Sequence, residues 1–234
     1  MRSTASPRQG TSGDLTTRAR IRDAAITVFG EQGFTAGVRA VATAAGVSPG
    51  LVNHHFGSKE GLRTECEAYV IERIRVVKTE SLTRPSAAGL LRQLAEVEEY
   101  APFIAYIIRS YQAGGPLGRS MFEHMVGVTE RYLADGVAAG TLRPSRDPAA
   151  RARYLSMQSL GSTLLFLQMR ADQDGPVDWA RVVRELTDET MFPALELYTE
   201  GLFIDSTFLD TMIQQRAETA SDTINHETTD QEDR

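Results

Sequence analysis

Cys66 is the one cysteine in a chain of 234 residues. A single thiol closes no internal disulfide and builds no multi-thiolate zinc site, so stability must come from packing. Long apolar runs are missing too: no stretch approaches the roughly 18 residues that a membrane-spanning helix requires. The polar start, Met1 to Asp14, offers no apolar segment to a secretory leader, so the expectation is a cytoplasmic protein with no membrane partner. Strand alternation bounded by hairpin turns is absent, as is any repeat of solenoid length. No glycine-rich phosphate loop, nucleophile elbow or ordered Ser/His/Asp series occurs, so neither catalysis nor a cofactor is expected. A surplus of positive charge is also lacking, with 25 Lys+Arg against 31 Asp+Glu and a net charge of -6.

What is present is an ordinary globular composition, 41% hydrophobic and 24% charged, with chain enough for one or two domains. The charge is unevenly spread. Residues 1–63 carry eight basic side chains against four acidic ones, a net +4 that leaves −10 for the remainder. A basic end on an acidic chain points to an anionic partner, such as nucleic acid, at that end. Residues 1–14, rich in Ser, Thr, Gly and Pro, are expected to form a flexible arm whose Arg2 and Arg8 would add phosphate or minor-groove contacts. Residues 217–234 are acidic with almost nothing to bury, and are expected to form a disordered tail.

Between these ends the periodicity is helical. Ile21, Ala25, Val28 and Phe29 recur at three- and four-residue steps, as do Leu62, Cys66, Tyr69, Val70, Ile74 and Val77, each set forming one apolar stripe. Cys66 therefore reads as an inert core thiol. Pro85-Ser86, Ala101-Pro102, Gly114-Gly115-Pro116, Asp147-Pro148 and Gly175-Pro176 separate further helices. Pro102, Pro116 and Pro148 suit the first helical turn, and Asp147 and Asp178 suit N-caps. Pro193 is expected to kink or break the last long helix. The fold class is all-α, with about nine or ten helices. A boundary near Arg84-Pro85 separates a basic front unit (15–62, with a connecting helix over 59–81) from a larger helical unit over 85–216.

The chemistry lies in residues 38–62. Val38, Val41, Ala42 and Ala45 form a short apolar face that ends at Gly46, a residue able to close a helix in the left-handed conformation. Ser48-Pro49 is an N-cap followed by proline at the first helical position. Val52 and Phe56 then face inward on a second short helix, about Pro49 to Phe56. Two short helices about a glycine turn make a helix-turn-helix unit, whose second helix enters the DNA major groove. The outward face holds Gly50, Leu51, Asn53, His54 and His55. Gly50 permits close backbone approach, Leu51 suits a thymine methyl, and Asn53 suits adenine through both its amide atoms. Arg39, Ser48, Pro49, His54, His55 and Lys59 complete the expected DNA-contacting set, the cations donating to phosphates. The pair His54-His55 reads as no metal site, because adjacent helical positions diverge and no third ligand converges.

The ordered series from Thr16 to Leu62 resembles the tetracycline-repressor (TetR/AcrR) family of transcriptional regulators. It runs through Phe29-Gly30-Glu31-Gln32-Gly33-Phe34, Val38-Arg39, Val41-Ala42, Ala45-Gly46-Val47-Ser48 and His55-Phe56-Gly57-Ser58-Lys59-Glu60-Gly61-Leu62. Two positions depart from the family: Asn53 stands where tyrosine is frequent, and Gly37 where a capping threonine is common. The resemblance implies a homodimer on an inverted-repeat DNA operator, and a C-terminal helical domain that binds a small-molecule effector and dimerises through its last long helices.

For that domain, Phe103, Tyr106, Ile107, Phe122, Met125, Met157 and Leu160 are candidate pocket walls, with Arg109, His124 and Gln158 as polar anchors. The stretch from Pro148 to Ala171 is too apolar for one face alone. With Trp179, Val182, Val183 and Leu186 it suits a four-helix dimer interface, for which Gly161, Leu164, Leu165, Val182 and Leu186 are the candidates. The reading is a ligand-released repressor. A regulator controlled by a protein partner or acting as an activator, and an all-α enzyme with a DNA-binding head, remain as alternatives.

Overall fold

The computed structural model describes residues 12–170 and 176–232, which form ten α-helices and, among the described residues, no strand. In chain order these are α1 (Ser12–Gln32), α2 (Val38–Ala45), α3 (Pro49–Phe56), α4 (Lys59–Thr83), α5 (Ala87–Ala95), α6 (Ala101–Gln112), α7 (Gly115–Ala138), α8 (Pro148–Gln168), α9 (Trp179–Glu200) and α10 (Thr207–Glu232). A 3-10 turn, Val97–Tyr100, leads into α6. The caps follow the local chemistry. Ser58, Ser86 and Asp147 each accept a backbone N–H from the first turn of the helix they precede, and Pro102, Pro116 and Pro148 sit where no helical N–H is needed. Two compact units result, residues 1–187 and 188–234.

In the larger unit one core joins the front of the chain to the helices behind it. Ile21, Ala25, Ile26, Val28 and Phe29 of α1, Val41, Ala42 and Ala45 of α2, Val52 of α3 and Leu62, Cys66 and Val70 of α4 are buried together with Tyr106 and Ile107 of α6 and Met121 of α7. The expected boundary at Arg84-Pro85 is therefore a break in the chain but not in the packing, because α1 lies along α6 and α4 along α7. Close approach is the reason. A Cβ on Gly30 would stand 2.9 Å from the Ala105 Cβ and 3.2 Å from the Tyr106 backbone nitrogen, so only glycine lets α1 and α6 meet here. Tyr106 is fully buried, packs edge-on against Phe34 at 5.3 Å, and donates its hydroxyl to the Arg63 carbonyl at 3.1 Å.

Polar groups tie α4 to α7. Glu67, 7% exposed, accepts from Arg63 at 3.0 Å and lies 2.6 Å from His124 Nδ1, while Thr79 donates to Asp135 at 3.0 Å. A second core forms from Ala101, Ala105 and Ile108 of α6, Phe166 of α8, and Trp179, Val182 and Val183 of α9. The Arg170 guanidinium lies 3.6 Å over the Phe166 ring and pairs with Glu185 at 3.0 Å.

Several expectations are corrected. Ser12, Gly13 and Asp14, expected in the arm, already belong to α1, with the acidic Asp14 in its first turn, where the helix dipole favours it. The rest of the arm, with Arg2 and Arg8, lies outside the described residues. The stretch expected as a disordered tail is helical to Glu232, since neither Gly nor Pro interrupts residues 207–232. Helix α9 runs on through Pro193 instead of ending there; the ring removes one helix hydrogen bond without stopping the helix. Helix α8 buries Ala152, Ser156, Thr163 and Phe166 on one side only. Among the described residues no helix is long and apolar enough to cross a membrane.

Burial pushes the Cys66 thiol up to about 12, and its Sγ contacts the Arg22 carbonyl at 3.7 Å. A thiol held so far above its ordinary value carries almost no thiolate at pH 8. Iodoacetamide is expected to leave the folded protein unmodified by mass spectrometry at that pH and to alkylate it once denatured. Replacing Glu67 with Ala strands Arg63 and His124; because both keep solvent access, the expected loss is about 1–3 kcal/mol, read by urea unfolding.

Candidate nucleic-acid interface

Helix α2 ends at Gly46, whose φ of 64° is left-handed, and Val47 N–H returns to the Ala42 carbonyl at 2.9 Å. Ser48 Oγ then accepts from Leu51 N–H at 3.2 Å and Pro49 opens α3. Two short helices about this turn, packed on α1 and α4, define a helix-turn-helix DNA-binding protein. At the far end of α3, a Cβ on Gly61 would stand 2.2 Å from the Phe56 carbonyl oxygen, so the α3–α4 corner admits glycine alone.

The helical period divides α3 into two halves. Val52 is buried and Leu51, His55 and Phe56 are half-buried, while Pro49, Gly50, Asn53 and His54 are exposed, together with Ser48 before the helix. Arg39 is exposed on α2 and its guanidinium has no partner among the described residues. Thr43 and Ala44 share that exposed surface of α2 and were not among the expected contacts, because short side chains at the end of a helix carry no distinguishing pattern.

Two expected phosphate donors do not face outward: the His55 ring is turned inward with its Nε2 lacking a hydrogen-bond partner among the described residues, and Lys59 is engaged within the chain. The His55 side chain is 5% exposed and its Nε2 lies 3.6 Å from the Asp14 carboxylate of α1. Three residues after Val52, it falls on the inward half of the helix. Lys59 donates its ammonium to the Phe34 carbonyl at 2.5 Å, tying the first turn of α4 to the loop after α1. Arg18 has a role that sequence reasoning missed. Its guanidinium lies 4.5 Å from the Phe56 ring centre and donates to the His55 carbonyl at 2.5 Å and to Glu65 at 2.8 Å, clamping the end of α3 to α1 and α4. On the sequence it is one more arginine on a polar face.

The structure brings four of the ten candidate pocket residues, Phe103, Tyr106, Ile107 and Met125, together in or against the first core and scatters the other six. Tyr106 and Ile107 are buried in the first core, where they have no surface to offer a ligand. Arg109 donates to the Gly30 and Glu31 carbonyls at 3.1 and 3.2 Å, satisfying the open end of α1. His124 is taken by Glu67. Met157 and Gln158 lie on the exposed face of α8, and Leu160 packs on the second core. Phe103 and Met125 are half-buried against the first core, and Phe122 lies under the Arg153 guanidinium at 5.0 Å. A shallow depression at the start of α7 is lined by Gly115, Pro116, Arg119, Ser120 and Glu123, and so by none of the ten.

Of the candidate interface residues, Gly161 and Leu165 are exposed on α8 and Leu164 is half-buried. Val182 is in the second core and Leu186 packs against it, because α9 turns that side toward α6. The exposed side of α8 carries Tyr154, Met157, Leu165 and, at its end, Met169.

Comparisons with known proteins agree with this geometry. Residues 21–66 match the family model of bacterial regulatory proteins of the tetR family, and residues 98–204 match that of the tetracyclin repressor-like C-terminal domain. The chain is 47% identical over 204 residues to the HTH-type transcriptional regulatory protein RaaS of Mycobacterium tuberculosis, covering 87% of this chain and 95% of that protein. A 91-residue match at 33% identity joins it to the HTH-type transcriptional regulator BetI of Rhizobium meliloti, over 36% of this chain and 45% of the relative. In fold it is similar to a TetR transcriptional regulator from Chloroflexus aurantiacus (TM-score 0.52, 17% identity, 81% of this chain and 98% of that one). A TerR/AcrR-family regulator from Aquifex aeolicus is similar as well (TM-score 0.50, 19% identity, 76% and 99%). The chain belongs to the TetR family of DNA-binding transcriptional regulators, which are not enzymes.

Because Gly61 leaves no room for a methyl group, Gly61→Ala is expected to cost about 2–3 kcal/mol in thermal unfolding and to displace α3, abolishing specific DNA binding in a fluorescence-anisotropy titration.

Proposed function

We propose that the protein is a homodimeric repressor that binds an inverted-repeat operator and is released by a small-molecule effector in the helical domain behind the reading head. The observation that carries this reading is the shared core: Tyr106 and Ile107 of α6 and Met121 of α7 pack directly among the helices that hold α3. Any ligand that moves α6 or α7 therefore acts on the recognition helix through close-packed side chains, which transmit displacement instead of absorbing it. Paired half-sites about 34–36 Å apart make DNA affinity sensitive to such a movement. The exposed side of α8, with Tyr154, Met157, Leu165 and Met169 around Gly161, supports a second copy packing there. The similarity to RaaS supports transcriptional control as the outcome.

Gly50 supports direct approach to DNA. A Cβ there would meet nothing closer than the Ser48 Oγ at 3.9 Å, so the protein itself does not demand glycine. Gly50→Ala is expected to stabilise α3 by roughly 0.5 kcal/mol while weakening operator binding. Opposite signs in calorimetry and in anisotropy would identify the cause as the DNA surface. Arg39→Ala is expected to weaken binding to all sequences and to lower the slope of log K against log salt by about 0.9, one phosphate contact. Asn53→Ala is expected to cost about 1–3 kcal/mol only on the cognate operator. Lys59→Ala should leave the salt slope unchanged. In a reporter strain, deletion of the gene should raise transcription from the operator; a fall would refute repression.

A further inference from the structure

Among its described residues, the unit of residues 188–234 has no core. No side chain between Asp188 and Thr219 is buried. Its apolar content is nonetheless high: Leu202, Phe203, Ile204, Phe208, Leu209, Met212 and Ile213 are each between 36% and 106% exposed. Most of these residues lie on or against α10, which begins after the family's C-terminal domain ends at residue 204. A helix whose apolar face is uncovered forgoes the packing that supplies most helical stability, and an apolar surface of this extent is rarely left wet.

We propose that this segment is a self-association arm, and that its apolar stripe pairs with the same stripe of a second copy in antiparallel register. The proposal rests on the homodimer reading and adds to it a second contact surface outside the family domain. Area supports a second copy. Seven large apolar residues exposing roughly 100–150 Å² each give on the order of 800 Å² per copy, the share of one partner in a stable interface. Charge supports the register. Phe208, Leu209, Met212 and Ile213 recur at helical steps, with Asp205 just before them and Arg216 one turn beyond. In a two-fold antiparallel pair each Asp205 meets the Arg216 of the other copy, twice by symmetry, whereas a parallel pair would set like charges together. The Asp205 carboxylate already accepts the Thr207 N–H at 2.9 Å, and the Phe203 and Phe208 rings meet in a tilted contact at 5.3 Å, which presets the start of the stripe.

The test uses full-length protein in sedimentation equilibrium, with circular dichroism as the folding control. A dimeric wild type and an F208E/M212E variant whose dimer Kd rises at least 100-fold at unchanged helicity are the expected results. Wild-type dimer affinity retained in the variant overturns the arm and leaves the homodimer intact; a wild type that stays monomeric overturns the homodimer reading itself. If F208E/M212E instead lowers the melting temperature at concentrations where the protein is monomeric, the arm folds onto its own chain and the proposal fails. The register is tested separately. R216D should weaken the dimer about tenfold and D205R/R216D should regain that affinity relative to D205R; no recovery excludes antiparallel pairing.

Discussion

Everything in the larger unit depends on how closely α1 can approach α6. At Gly30 the α1 backbone meets the Ala105 methyl group and the Tyr106 backbone nitrogen with no side chain of its own in the way, and Tyr106 is thereby carried into the core that holds α2 and α3. A methyl group at that point would force the helices apart and open a gap around Tyr106, Phe29 and Phe34, whose ring contacts hold the loop before α2. The reading head is thus not a module on a tether. It is one side of a core whose other side belongs to the helices behind it, so the helix-turn-helix and α6 and α7 share their packing.

Electrostatics is governed by the same geometry. The front of the chain carries a net +4, yet much of that charge is used within the fold: Arg18 on the end of α3, Arg63 on Glu67 and Lys59 on the Phe34 carbonyl. Of these, Arg18 holds the end of α3, Lys59 ties α4 to the loop after α1, and Arg63 pairs within α4. Arg39, His54 and Asn53 are left on the exposed surface. A charge count along the chain finds the basic end of the protein, but not how many of its cations are already engaged within the fold.

How much of this was legible in the sequence depends on whether a feature is local. The glycine turn at Gly46, the Ser48 cap, Pro49 at the first position of α3 and the spacing of Val52 and Phe56 are set by a few neighbouring residues, and the helix-turn-helix could be read from them. The apolar stripes of α1 and α4 were equally plain. Where the candidate pocket residues would sit was less legible, because an aromatic residue at helical spacing looks the same whether it faces a cavity or, as Tyr106 does, the core. Arg109 and His124 looked like anchors because their partners, the α1 carbonyls and Glu67, are some 57–79 residues away.

The amino-acid sequence by itself determined the helical class, most of the places where helices begin, the buried position of Cys66 and the helix-turn-helix, since caps, breakers and period act over a few residues. The tertiary structure alone decided which face of α3 is free, which cations are engaged, that the break at Arg84-Pro85 is no boundary in the packing, and that α8 and α10 keep apolar sides uncovered. Those outcomes turn on contacts between residues far apart in the chain, and on whether a glycine such as Gly30 or Gly61 stands where two backbones must touch.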